Sequence, residues 1–378
     1  MDLNQIRKRI DEIDDEMLSL FLERMECAEE VAEYKKANGL PILNRARERE
    51  ILSKVREKAG DKELYAHQLF STLMELSKAS QAELLVGNSE ITGKVENMLK
   101  TEEAVFPKTG MVACQGVEGG NSQVAADRLF PRGNLIFVKS FEAVFQAVNS
   151  GLCQYGVVPI ENSSNGSVRA VYELMQQYRF SIIRSTRLWI HHTLLAKPGV
   201  KAEQIRTIYS HQQAIGQCSA FLASLKDVAV IPCENTAAAA KAVAESDDRS
   251  CAAIASAPCA ELYGLDILSD RIQDSENNYT RFVCISKTPR IFEGADHISL
   301  IVSCDHRPGA LHEILSKLAA LGINMIKLES CPVSGRNFEF VFFIELEASL
   351  KEKGVISMLE ELERSCQELI LLGNYDEV

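Results

Sequence analysis

The first forty residues constrain this chain most, because they carry an apolar seam too long for the rest of their segment to cover. Leu3, Ile6, Ile10, Ile13, Met17, Leu20, Cys27, Val31 and Tyr34 recur at alternating spacings of three and four, the stripe of one continuous amphipathic helix. From Leu3 to about Ala37 that helix would measure on the order of 50 Å at 1.5 Å per residue. The two helical stretches that follow, 45–58 and 62–85, are too short to bury such a seam, so the helix calls for a partner chain. Arg24 lies on the seam as well. A guanidinium on a buried face costs several kcal/mol of desolvation unless something anionic meets it, so an acidic partner or an anionic ligand is expected there.

Asn38-Gly39 stops the helix, Pro41 blocks its resumption, and Asn44 can cap the second helix. The third helix carries Leu64, Phe70, Leu73, Ser77, Gln81 and Leu84 along one face. Residues 88–110 are polar and glycine-containing, and read as a linker with some residual helix. Length allows two or three domains in 378 residues. A net charge of −12 argues against nucleic acid or an anionic membrane as partner. The eleven cysteines are scattered, without a C-x-x-C pair, as expected of reduced thiols, and no metal site or other cofactor is expected. No apolar run is long enough for a membrane span, and the N-terminus lacks a signal-peptide core. A cytoplasmic protein is expected.

From residue 111 short apolar runs alternate with amphipathic helices. Strands are expected at 111–114, 135–138 and 155–160 with helices at 122–130 and 141–149, then strands at 205–209, 228–231 and 251–255 with helices at 212–225 and 236–245. The alternation implies parallel sheets with right-handed crossovers, and two sets suggest two lobes around a cleft. The last piece has strands at 298–304, 323–329 and 338–346, helices at 310–321 and 355–367, and a closing strand, the order of a ferredoxin-like module.

Chemistry concentrates at few places. Arg24 and Lys35 are eleven residues apart, nearly three turns, and so share one helix face about 16 Å apart along the axis. Arg7, seventeen residues before Arg24, is rotated off that face and would serve a site in another subunit. Ser77 and Gln81 place two polar groups at i and i+4 on an apolar face. Each is explicable singly as a solvated or satisfied side chain. Together, converging cations without matching buried acids suggest a small dicarboxylate. In the α/β part, the loop 116–122 opens a helix and can cradle an anion, although it is not a dinucleotide fingerprint. Glu161-Asn162-Ser163-Ser164-Asn165 ends a buried strand, where open α/β sheets bind ligands. Polar loops at 209–212, 234–239 and 278–282 repeat the habit.

These residues carry three resemblances. Ile6-Arg7-Lys8-Arg9-Ile10-Asp11-Glu12-Ile13-Asp14, Glu23-Arg24, Lys35, Arg47-Glu48 and Ser77 to Gln81 resemble the all-helical chorismate mutase family over residues 1–87. The resemblance implies Arg7, Arg24 and Arg47 on the substrate carboxylates, Lys35 and Gln81 on the ether oxygen, Glu48 on the hydroxyl, and Ser77 in the site. Asn44, where some members have aspartate, keeps a hydrogen bond without the charge. It also implies an intertwined dimer with Arg7 given in trans. Residues 111–288 resemble prephenate dehydratase, with Val117 and Asn121 departing from the commoner glycine loop. That resemblance implies Thr280 of Thr-Arg-Phe at the departing hydroxyl, helped by a relay through Glu161 or a water, with Asn162, Ser163, Thr236 and Arg281 binding substrate. Arg307-Pro308-Gly309-Ala310-Leu311 and Glu329-Ser330-Cys331-Pro332, within 296–373, resemble the two signature segments of ACT regulatory domains, with Cys331 in place of an arginine. Gly309, Ala310, Leu311, Glu329 and Ser330 would then bind phenylalanine at a subunit interface.

The expectation is therefore a multi-domain chain of three parts: an all-α chorismate mutase domain, a two-lobed, periplasmic-binding-protein-like α/β dehydratase domain, and an α+β ferredoxin-like ACT domain. This is the order of the bifunctional chorismate mutase/prephenate dehydratases, isomerase and lyase in one chain. Chorismate and prephenate would be substrates, phenylalanine a feedback effector, and the chain a homodimer or higher homo-oligomer. The alternative is a two-lobed small-molecule sensor with a helical dimerisation arm.

Overall fold

The computed structural model describes residues 2–38, 40, 44–84, 90–100, 105–304, 309–332 and 340–378. The helical part consists of α1 (Leu3–Asn38), α2 (Arg45–Ala59), α3 (Glu63–Leu84) and α4 (Glu90–Lys100). Within one chain the N-terminal half of α1 is bare: Ile6, Ile10 and Ile13 are 43%, 50% and 39% exposed. Only its C-terminal half packs, against α3. There the buried line runs through Ala28 and Ala32, while Cys27, Val31 and Tyr34 face outward. The expected seam is thus displaced in its second half, because alanines let α3 approach closely. On α3 itself, Leu64 is exposed and Met74, Ser77 and Gln81 form the buried face.

About half of the supposed linker is α4. Its Ile91, Val95 and Met98 are buried in the core of the C-terminal module, with Ile298, Leu300 and Leu359. Ile91 N donates to Glu363 at 3.2 Å and Thr92 Oγ1 donates to Glu360.

Lobe 1 contains β1 (Met111–Gln115), α5 (Asn121–Leu129), β2 (Asn134–Val138), α6 (Phe141–Asn149), β3 (Tyr155–Asn162), β4 (Gly166–Ser167), α7 (Arg169–Tyr178) and β5 (Ser181–Trp189). Lobe 2 contains β6 (Thr193–Ala196), β7 (Thr207–His211), α8 (Gln212–Gln217), α9 (Ser219–Ser224), β8 (Ala229–Cys233), α10 (Thr236–Glu245), β9 (Cys251–Ala255), α11 (Pro258–Tyr263) and β10 (Asp266–Ser269). The chain then returns to lobe 1 as β11 (Tyr279–Ser286). Both sheets are mixed rather than parallel, in the orders β2-β1-β3-β11-β5 and β10-β6-β9-β7-β8. The reason is the two crossings: β11 re-enters antiparallel to both β3 and β5, and β6 enters antiparallel to β9. The helix expected over 212–225 is broken at Cys218, since Asp274 accepts the N–H groups of Ser219 and Ala220 at 2.9 and 3.0 Å and so caps a second helix.

The C-terminal module is β12 (His297–Ser303), α12 (Ala310–Ala320), β13 (Asn324–Pro332), β14 (Phe340–Glu347), α13 (Val355–Ser365) and β15 (Glu368–Tyr375), with sheet order β13-β14-β12-β15. Helices α12, α13 and α4 cover one face. The other face lays Ile301, Phe343, Leu372 and Tyr375 into the core of lobe 1. Gly373 is needed at this seam, because a Cβ there would lie 2.0 Å from the carbonyl oxygen of Ile182.

Candidate active sites

In the helical domain, α1, α2 and α3 bring together Arg24, Lys35, Glu48, Ser77 and Gln81. Arg24 Nη1 donates to Leu73 O at 2.9 Å and to Ser77 Oγ. These described partners are neutral oxygens, and burial pulls the guanidinium below its ordinary pKa. Lys35 Nζ donates to Gln81 Oε1 at 3.1 Å. Burial lowers the Lys35 pKa, and the charge of Glu48 opposes this only in part. Glu48 also pairs with Lys78 at 3.2 Å. Lys78 has no sequence signal of its own: only the packing of α2 on α3 distinguishes it from a surface lysine.

Three expected members stand apart. Arg7 is exposed and lies about 25 Å along α1 from Arg24. Arg47 is largely exposed, its guanidinium 2.8 Å from Glu50. Asn44 Oδ1 is used as the N-cap of α2, accepting from Arg47 N at 3.1 Å.

A cavity of about 420 Å³ lies between the lobes, at the C-terminal ends of β1, β3 and β7 and beside the crossings. Thr280, Asn162 and Thr236 line it, as do His192, His211, Gln217 and Glu234. Asn162 Nδ2 donates to Thr280 Oγ1 at 2.9 Å. Because that oxygen accepts, its own hydrogen is directed elsewhere. A polar chain continues from Asn162 to Asn278 at 3.5 Å, from Asn278 to Gln217 at 3.2 Å, and from Gln217 to His192 Nε2 at 2.8 Å. Burial lowers the His192 pKa, against the hydrogen bond to Gln217, so the ring is neutral at pH 7. His192 and Gln217 escape sequence reading because one lies in the crossing between β5 and β6 and the other at the end of α8, and only the fold brings them together.

Among the described residues lining this cavity there is no lysine or arginine, and Glu234 is the one carboxylate. Its positive pole is backbone: α5 begins at Asn121 behind N-cap Gly120, and α10 begins at Thr236 behind Asn235, whose side chain accepts from Ala238 N at 2.7 Å. The glycine loop is held by lobe 2, with Ser256 Oγ donating to Gly119 O at 3.1 Å and Tyr263 OH to Glu118 O at 2.7 Å. A Cβ on Gly119, which has φ +87°, would sit 3.0 Å from Cys259 Sγ.

Three expected substrate ligands point elsewhere, two of them because neighbours on a strand face opposite sides. Glu161, beside Asn162, turns out of the cleft to Lys327 of the C-terminal module at 3.2 Å. Arg281, beside Thr280, is buried against Glu345 of β14. Burial alone would lower the Arg281 pKa, but the hydrogen bonds and charge of Glu345 with the charge of Glu377 hold it above its ordinary value. Ser163 serves the loop, donating to Asn277 O at 2.9 Å and accepting from Tyr279 N at 3.0 Å.

In the C-terminal module, Gly309 with φ +88° opens α12 ahead of buried Ala310 and half-buried Leu311. Ser330 is on the helix-covered side of edge strand β13, paired with Phe342. Glu329 is on the other side, accepting from Ser167 Oγ of lobe 1 at 2.6 Å, so the expected effector set is split across the sheet. Arg307 and Pro308 lie outside the described residues.

Family models match the chain in three consecutive stretches: chorismate mutase type II over residues 6–82, prephenate dehydratase over 112–290 and the ACT domain over 298–364. A bifunctional chorismate mutase/prephenate dehydratase of Enterobacter agglomerans is 32% identical over 98% of this chain and 95% of its own length. Arogenate dehydratase/prephenate dehydratase 1 of Arabidopsis thaliana, a chloroplastic protein, is 36% identical over 70% of this chain and 71% of its own. Among solved structures, the prephenate dehydratase of Arthrobacter aurescens in complex with L-Phe is 29% identical with a TM-score of 0.65, covering 70% of this chain and 90% of that one.

Proposed function

This chain belongs to the bifunctional chorismate mutase/prephenate dehydratase family, and on that footing we propose how its residues divide the work. The first reaction is pericyclic: an ether C–O bond breaks as a C–C bond forms within one molecule. It asks for a compact substrate conformation and for charge at the ether oxygen. Arg24 holds a carboxylate, Lys35 and the NH2 of Gln81 donate to the ether oxygen, and Glu48 takes the hydroxyl. The observation that carries this reading is Arg24 itself, half-buried with neutral partners. The exposed seam on α1 supports a dimer in which the partner's α1 brings Arg7 to the site.

In the cleft, the hydrogen of Thr280 Oγ1 meets the ring hydroxyl of prephenate, which leaves as water as its C–O bond breaks, while the ring carboxylate leaves as carbon dioxide and its bonding electrons complete the aromatic ring. Asn162 sets the direction of that hydrogen. Substrate carboxylates rest on the first turns of α5 and α10. With Glu161 turned to Lys327, the relay runs through water rather than through that carboxyl. Phenylalanine is the effector, held by Gly309, Ala310, Leu311 and Ser330. The reactions take place in the cytoplasm, with thiols reduced, as the eleven free cysteines suggest; no described helix is long and apolar enough to cross a membrane.

One assay tests the pair of activities. Incubation with chorismate should consume it and yield phenylpyruvate, seen by its absorbance after alkali; consumption without phenylpyruvate would leave the mutase alone. Millimolar phenylalanine should raise the melting temperature, and an unchanged melt would remove the effector assignment.

A further inference from the structure

Thr280 and Arg281 are consecutive, yet one faces the cleft and the other is bound to a different domain. Arg281 Nη1 donates to Glu345 Oε2 at 2.6 Å and Nη2 donates to Oε1, a two-pronged pair in which both side chains are more than nine-tenths buried. Its Nε lies 2.6 Å from Glu377 Oε2, though not aligned for a hydrogen bond. Glu345 is fixed in turn: Tyr375 OH donates to Oε1 at 2.7 Å, and Ser299 Oγ lies 2.7 Å from the same hydroxyl. The residues after β15 add a short parallel contact with β5, with Ser185 N donating to Asp376 O at 2.9 Å and Val378 N to Ser185 O at 3.0 Å.

The register of β11 against β3 slips between Arg281 and Phe282, one pair beyond Thr280–Asn162, with Ile160 of β3 as the extra residue. An irregularity of this kind bends the strand that carries the extra residue, here β3 beside Asn162, and increases the local twist of the pair, which re-aims the side chains around it. Here the bend is pinned on one side by Asn162 and on the other by a carboxylate of the regulatory module. A buried ion pair is poor evidence for stability, since well-packed apolar groups often do as well, and its better-attested use is to fix one arrangement among several.

We propose that Glu345 of the ACT domain is a positioning residue of the dehydratase reaction: its two-pronged hold on Arg281 seats β11 against the bent end of β3 and so aims Thr280 into the cleft. This rests on the assignment of Thr280 to the substrate hydroxyl. It makes dehydratase turnover depend on the seating of the ACT sheet.

The test is a double-mutant cycle in the full chain, Glu345→Gln with Thr280→Val, reading kcat and KM for prephenate, mutase activity and the melting temperature. Misplacing a reacting group by about 1 Å can cost on the order of 10²-fold. Glu345→Gln should therefore lower dehydratase kcat by about that factor with KM little changed, and leave the mutase intact. In the Thr280→Val background it should cost nothing further. Equal losses in both backgrounds, or a lowered melt with wild-type kcat, would overturn the proposal while leaving Thr280 in place. Full activity of Thr280→Val alone would instead remove the Thr280 assignment, and the proposal with it. Should Glu345→Gln not fold, Tyr375→Phe, which removes only the hydroxyl orienting Glu345, should give a smaller loss of kcat with the same non-additivity; wild-type kcat in that variant would count against the proposal.

Discussion

The two reaction centres face the same kind of ligand, a dicarboxylate, with different sources of positive charge. In the helical domain the positive charge is on side chains, with Arg24 and Lys35 set against neutral acceptors on α3. In the interlobe cleft no described lining residue is a lysine or arginine, and the arginine next to Thr280 is turned away and neutralised by Glu345. The chemistry gives a reason for the contrast. In the mutase both carboxylates survive and negative charge grows on the ether oxygen, so fixed cations favour the transition state. In the dehydratase one carboxylate departs as neutral carbon dioxide. A cation clamped on it would stabilise the ground state more than the transition state, whereas helix N-termini hold it with less than a full charge.

The largest effect should come from removing Arg24, the cation proposed to hold a carboxylate in the mutase. Arg24→Ala should cut mutase kcat/KM by on the order of 10³-fold and leave dehydratase activity on added prephenate near wild type. A loss of both activities would break the separation of the centres. Next is Thr280→Val, which keeps shape and removes the hydroxyl. Dehydratase kcat should fall by about 10²-fold, with the mutase unaffected.

A third prediction uses charge directly. Burial lowers the Lys35 pKa, so as pH rises toward the ordinary lysine value of about 10.4 Lys35 loses its proton early and mutase kcat should decline along an alkaline limb. The dehydratase, without a lining lysine, should lack that limb. Lys35→Arg should abolish it, and its persistence there would assign the limb to another group.

How much of this was legible depended on whether the deciding contact was local. Helical spacing put Arg24 and Lys35 on one face and Ser77 with Gln81 on another, and α1 and α3 do present them to each other. Asn44 was legible as a cap for the same reason. Where strands carry the site, Thr-Arg-Phe and Glu-Asn-Ser read as clusters along the chain, although a period of two sends Arg281 and Glu161 to the far side of the sheet. What they meet there could not be anticipated, because Glu345 is 64 residues from Arg281 and Lys327 comes from another domain. The same holds for α4, whose apolar face looked like residual helix until the C-terminal module was present to cover it. The mixed sheets follow from β11 returning after the whole of lobe 2, a pairing no local pattern encodes.

The smallest effect tests whether the cleft tolerates positive charge at all. His192 is buried, has no carboxylate among its described contacts, and has its pKa lowered by burial. The folded protein therefore binds this proton less readily than the unfolded chain. Stability from the neutral ring is fully present above the unfolded histidine value of about 6.5 and is lost as pH falls below it, toward the lower folded value. The slope for one proton is at most about 1.4 kcal/mol per pH unit. For a domain of this size that is a fall of roughly 2–4 °C in melting temperature for each kcal/mol lost. Melts between neutral pH and about pH 5.5 should show this slope, and His192→Gln, which removes the titrating group, should flatten it. A variant as acid-sensitive as the wild type would mean that the cleft accommodates a protonated His192, and the absence of lysine and arginine from its walls would then need a cause other than the cost of a full positive charge.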